Sequence, residues 1–125
     1  MPTITFHVTP SANRESITDH GLDWRRFREG TGLAGPSETP EGECIFLARD
    51  SWEVAWFVEL FRSRHPSLDI WEVTLPHDFD PWTEQLPPDT PYLEIDGFLA
   101  TTEPIPADRL RLTEKGTGSG AAVPH

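Results

Sequence analysis

The sequence predicts a single α+β domain, and three observations carry that expectation. The chain opens on a period-two segment, Thr3-Ile4-Thr5-Phe6-His7-Val8-Thr9, which puts Ile4, Phe6 and Val8 on one face of a strand and Thr3, Thr5, His7 and Thr9 on the other. A helical pattern rich in apolar residues occupies the middle of the chain, and short strand-like runs separated by turn residues close it. A length of 125 residues leaves room for one core. Five Trp, seven Phe and an apolar fraction of 36% supply the material for it.

After the first strand, Pro10 suits the first position of a helix capped by Thr9, and Gly21 suits its left-handed end, so a short helix is expected from about Pro10 to His20. From Leu22 to Glu43 the glycines and prolines at 30, 32, 35, 36, 40 and 42 deny any long periodic element. That stretch predicts a long loop with a turn of helix around Trp24 to Phe27. Loops of this length in a small domain are binding loops, lids or plain disorder. Cys44-Ile45-Phe46-Leu47-Ala48 is a continuous apolar run, as in a buried strand.

Ser51 is placed to cap a helix whose Trp52, Val54, Ala55, Phe57, Val58, Leu60 and Phe61 make it apolar round most of its circumference, up to the Arg64-His65-Pro66 stop. Such a helix should pack across the sheet. Leu68 to Leu75 reads as a strand with Leu68, Ile70, Val73 and Leu75 inward, ended by Pro76. The five prolines from Pro76 to Pro91 predict irregular backbone. Three short strands are expected at Tyr92 to Ile95, Phe98 to Thr102 and Arg109 to Thr113, the first two joined by an Asp96-Gly97 hairpin turn. Gly116 to His125 has the composition of a flexible tail, which leaves a domain of residues 1–115.

Ten basic against 21 acidic residues give a formal net charge of -11, which repels phosphate backbones and anionic membrane surfaces. Nucleic acid is therefore a disfavoured partner, and no apolar run is long enough for a membrane span. The charge is uneven: residues 1–28 carry a net +1 through Arg14, Arg25, Arg26 and Arg28, and the remainder carries -12. The N-terminal segment is thus the natural seat for an anionic small molecule, unless its arginines pair with the acidic remainder. Cys44 stands alone, no Cys/His metal spacing occurs, and no targeting signal is evident, so a cytoplasmic protein is expected. The tryptophans read as core or rim aromatics, and Asp78, Asp80 and Glu84 read as a solvated acidic face that a basic partner protein could recognise.

GxSxG, HExxH, GxxxxGK and a GxGxxG placed directly after a strand are all absent, which removes support for several hydrolase and dinucleotide-binding classes. What remains is His7-Val8-Thr9 at the end of the first strand. His and Thr two apart on a strand share a face, so imidazole and hydroxyl can together hydrogen-bond the hydroxyls of one ribose, with Arg14 on the next helix neutralising a phosphate. The alternative is that His7 and Thr9 line the solvated face of an edge strand.

These residues resemble those of a known family. FHVTPSANRESITDHGL is similar to the opening strand and helix of ADP-ribosyltransferase-fold proteins, ECIFLARDSWEVAWFV to their second strand–helix block, DIWEVTLP to the following strand, and FLATTEPIPADRLRL to their closing strand and proline turn. The resemblance spans about Thr3 to Thr113. It implies an α+β domain with a split mixed sheet and two main helices, gripping NAD as substrate in a cleft. In that cleft His7 would hold the nicotinamide-side ribose, Thr9 would support it, and Phe46 would lie beside the nicotinamide. The family's catalytic Glu has its place near Phe98 to Ala100, where this chain has no carboxylate, and Glu94 is the nearest candidate for that role. The RNA 2'-phosphotransferase branch shares the closing pattern, but its substrate is RNA. The resemblance thus implies NAD-dependent ADP-ribosyl transfer to a protein or other acceptor. Its alternative is a catalytically inactive module of the same fold that binds a nucleotide or a partner protein.

Overall fold

The structure is a computed structural model that describes residues 3–23, 44–63, 65–83, 85–95 and 97–117. The expected loop of residues 24–43, with its helical turn near Trp24, lies outside the described residues. In chain order the elements are β1 (Ile4–Pro10), a 3-10 turn (Ser11–Asn13), α1 (Arg14–His20), β2 (Ile45–Leu47), α2 (Ser51–Phe61), β3 (Leu68–Thr74), β4 (Tyr92–Ile95), β5 (Phe98–Thr101), a second 3-10 turn (Ala107–Arg109) and β6 (Leu110–Thr117). The strands form two three-stranded sheets, ordered β1-β3-β6 and β2-β5-β4. Every ladder is antiparallel, which corrects the mixed sheet expected from the sequence.

The two sheets meet at one seam. Phe6 and Ala48 exchange both backbone hydrogen bonds, at 2.9 and 2.7 Å, so β1 and β2 lie side by side and the sheets share their faces across the join. One face packs on α2 through Val8, Phe46, Ala48, Ile70, Ala100, Phe57 and Phe61. The other buries Ile45, Leu47, Trp71, Val73, Leu75, Tyr92 and Leu99 against Ile17 of α1 and against Leu22 and Ile105. Each sheet is thus covered on both sides, and this explains why β3 is buried at Asp69 and Trp71 as well as at the expected Leu68, Ile70 and Val73.

Several boundaries differ from the sequence expectation for local reasons. Pro10 continues β1, pairing with Leu68, instead of opening a helix, and α1 begins only at Arg14. The Thr9 hydroxyl accepts from Asn13 Nδ2 at 2.9 Å and so serves the turn as a side chain, not as a backbone cap. For α2 the cap is Asp50, not Ser51: its carboxylate accepts from the Glu53 N–H at 2.9 Å while Glu53 reaches back to the Arg49 N–H at 2.8 Å. Only Phe57 and Phe61 of that helix's large apolar residues are fully buried, and Trp52, Trp56 and Leu60 stay exposed. β6 runs to Thr117 because Leu68 pairs with Thr117 and the Gly116 N–H is bonded to Asp69, so the expected tail does not start at residue 116.

Gly21 ends α1 with φ 77°, its N–H bonded to the Ile17 carbonyl at 2.8 Å. The next residue, Leu22, exchanges backbone bonds with Ile105, and a Cβ on Gly21 would run into the Ile105 carbonyl oxygen. Gly21→Ala combines an unfavourable backbone region with this collision. It is expected to lower unfolding stability by about 2 kcal/mol or more, read as a fall in the urea midpoint. A midpoint equal to the parent's would show that the Leu22–Ile105 bridge gives way freely.

Candidate functional site

The Thr/His face of β1 is buried, with Thr5, His7 and Thr9 all 2% exposed or less, while Ile4 on the opposite face is 38% exposed. The alternative of a solvated Thr/His face does not hold. Burial of these polar groups is tolerable because each has a backbone or side-chain partner. Thr3 both donates to the Phe79 carbonyl and accepts from the Phe79 N–H at 2.8 Å, and Thr5 donates to the Val73 carbonyl at 3.3 Å. Thr9 accepts from Asn13, and His7 Nδ1 lies 2.8 Å from the Phe46 carbonyl.

A carbonyl can only accept, so His7 Nδ1 carries the hydrogen and Nε2 is the acceptor nitrogen of a neutral ring. Burial pushes the imidazole pKa down to about 4, against the smaller opposing effect of the bond to Phe46. The ring is neutral throughout the physiological range and offers an acceptor, not a positive charge.

The register carries this position across the molecule. The Phe6–Ala48 bridge sets His7 alongside Leu47; Leu47 pairs with Leu99, and Leu99 with Glu94. His7, Leu47, Leu99 and Glu94 form one cross-strand row on one face. Three strand intervals of about 4.8 Å separate its ends by about 14 Å along the sheet, so His7 and Glu94 do not touch. The neighbouring row Ile45, Thr101, Tyr92 ends in a 2.8 Å hydrogen bond between the Tyr92 hydroxyl and His77. Burial and the nearby Glu103 charge push the Tyr92 phenol up to about 12.

Glu94 is exposed at the rim of a shallow pocket lined by Arg49, Pro81, Thr83, Leu86 and Leu99. Arg49 is engaged on several sides. It is paired with Glu53 at 2.6 Å, donates to the Gly97 carbonyl at 2.7 Å and lies 4.2 Å from the centre of the Trp82 ring.

Two other sequence-derived candidates are placed differently from that row. The Phe46 ring faces α2 with Val8 and Phe57, on the opposite side of the sheet from the His7 ring, so only its carbonyl meets the histidine. Arg14 binds Asp69 through two nitrogens at 2.6 and 2.9 Å, and its side chain stays 38% exposed. Asn13, fully buried against Thr9, was not singled out from the sequence as a site residue. Its spacing of four from a strand Thr was the available signal. No group of His, Cys, Asp or Glu suited to hold a metal occurs among the described residues, and none of their helices is long and apolar enough to cross a membrane. No protein-family model, curated protein or solved structure matches the chain.

The depressed His7 pKa has a stability consequence whose sign is definite. The unfolded chain takes up a proton near the ordinary value of 6.5, whereas the folded ring resists until about pH 4. The stability His7 confers is therefore fully present above pH 6.5 and is lost as pH falls from there toward 4, by at most about 3 kcal/mol. Urea midpoints of the parent should drop across that window, and those of His7→Gln should drop less. Equal pH slopes would show that His7 is solvated in the native state.

Proposed function

We propose that this domain binds NAD in the manner of ADP-ribosyltransferases and transfers its ADP-ribosyl group to an acceptor. The observation that carries this reading is the row His7, Leu47, Leu99, Glu94, which puts a neutral acceptor nitrogen and a carboxylate on one face with apolar residues between them. Leu47 and Leu99 between them are buried in the apolar cluster, and Glu94 stands exposed at the open pocket beside Arg49 and Thr83. The two sheets split at the Phe6–Ala48 seam support the same reading, since the resemblance implies a divided sheet.

In this reading His7 Nε2 accepts from a ribose hydroxyl, and Thr9 and Asn13 hold the end of β1 and the start of α1 in place around it. The bond between the ribose C1' and the nicotinamide nitrogen breaks, and nicotinamide leaves with the electron pair. Glu94 stabilises the positive charge that develops on the ribose, and the acceptor then bonds to C1' and gives its proton to solvent. Phe46 contributes its carbonyl as the orienting partner of His7. Arg14 belongs to the scaffold.

A second reading, a binding module of the same fold without catalysis, is favoured by one observation. Leu99 and Ala100 in β5 stand where the resemblance places a carboxylate, and both are buried. Nicotinamide release from NAD separates the two. An enzyme releases it faster than buffer does, and Glu94→Gln lowers turnover by about 10²–10³ with little change in NAD affinity, because the carboxylate acts mainly as the bond breaks. Release no faster than buffer, with an NAD-dependent rise in melting temperature, leaves the binding module. The absence of both removes NAD from the account altogether.

A further inference from the structure

The open pocket at the outer edge of the second sheet has a volume of about 110 Å³ and combines the apolar side chains of Pro81, Leu86 and Leu99 with the Arg49 guanidinium and the Glu94 carboxylate. These two charges do not neutralise each other. Arg49 gives Nε and Nη2 to the carboxylate oxygens of Glu53 at 3.0 and 2.6 Å, gives Nη2 also to the Gly97 carbonyl, and lies 4.2 Å from the centre of the Trp82 ring. Hydrogen bonds to Glu53, and then the charges of Glu53, Glu94 and Asp50, raise the Arg49 pKa, so three carboxylates lie within electrostatic reach of one guanidinium. Glu53 is committed to Arg49, and Asp50 caps α2 through the Glu53 N–H. Glu94, exposed at the rim, is the carboxylate of the three that remains open to a ligand.

We propose that this pocket binds an alkylammonium cation, with Glu94 as its charge partner and Pro81, Leu86 and Leu99 against its aliphatic stem. The inference goes beyond the NAD reading and stands without it, sharing only Glu94. An anion is disfavoured because Glu53 already balances Arg49, and a further negative charge would meet Glu94 and Asp50. A cation suits an open pocket for a second reason: the ammonium keeps water on the hydrogens it does not give to Glu94, so little desolvation is required while the stem covers apolar surface. The volume is small against the roughly 300–1,000 Å³ of pockets that enclose a whole drug-sized ligand, which limits the enclosed part to a group of side-chain size. The net charge of -11 draws cations toward the surface at large. A lysine side chain and a free aliphatic amine carry the same chemistry.

Three probes test this in titrations of the ¹⁵N-labelled full chain without nucleotide: n-butylamine, N-acetyl-lysine N-methylamide, which carries the same stem on a peptide unit, and n-butanol as the neutral counterpart. Both amines are expected to shift the backbone amide signals of Thr83, Leu86 and Leu99, with Kd on the order of 10 mM, and n-butanol should bind about two- to fivefold more weakly than n-butylamine. Glu94→Gln, made at an exposed rim position, should bring n-butylamine down to the level of n-butanol. Butanol that binds as tightly as the amine overturns the cation, and amines that leave all three signals in place overturn the site. An amine preference that survives Glu94→Gln overturns the role of Glu94. Tighter binding by the lysine derivative assigns the occupant to a polypeptide side chain, and binding by n-butylamine that is as tight or tighter assigns it to a free amine; either order supports the inference. Nicotinamide release from NAD plays no part in these titrations, so the ADP-ribosyl reading stands or falls separately.

Discussion

Asp69 is the constraint on which the rest of the structure depends. Its carboxylate is fully buried near the start of β3, and four donors converge on it: two nitrogens of Arg14, the Ser11 hydroxyl at 2.7 Å and the Gly116 N–H at 3.0 Å. These donors come from the turn after β1, the start of α1 and the end of β6. Burial alone would push the Asp69 carboxyl up, but the bonds from Arg14, Ser11 and Gly116 outweigh it and hold its pKa below the ordinary value. The charge therefore persists, and one buried anion ties both neighbours of β3 to its first turn. Ser11 extends the knot to Ser67 through a 2.8 Å bond between hydroxyls. A carboxylate buried this deeply is tolerable only when fully paired, so the backbone around it has little freedom to rearrange.

That knot determines where the candidate site lies. It anchors the end of β1 that carries Thr9, and His7 is two residues back on the same face, beside Trp71. From there the Phe6–Ala48 seam hands the register to the second sheet, and the row runs on to Glu94 at its outer edge. Arg49 secures that outer edge, binding Glu53 of α2, the Gly97 carbonyl of the β4–β5 hairpin and the Trp82 ring. The inner end of the row is buried, and the outer end is exposed beside Arg49.

The inner face of β1 is polar although it is buried. Threonine and histidine take positions that an ordinary strand would give to Val or Ile, and their hydroxyls and ring nitrogen are satisfied by backbone groups of β2, β3 and the segment at Phe79. Such bonds contribute modestly to stability when made and cost more when broken, so they define a unique register more than they deepen the core.

The sequence by itself determined the element list. Period-two alternation marked β1, the apolar run marked β2, and Asp96-Gly97 marked the hairpin between β4 and β5, because hydrophobic periodicity and turn chemistry are local properties. It also singled out His7 and Thr9, which share a face by strand geometry alone. The tertiary structure decided which face was buried. Alternation says that Ile4 and His7 point apart but not which of them meets the core, and the covering of both sheet faces placed His7 inside and left Ile4 partly exposed. It likewise decided partners distant in sequence: Arg14 with Asp69, His7 with Phe46, and Trp71 facing His7. These pairings depend on strand order and register, which are set by the packing of the whole chain and leave no mark on any short stretch of it.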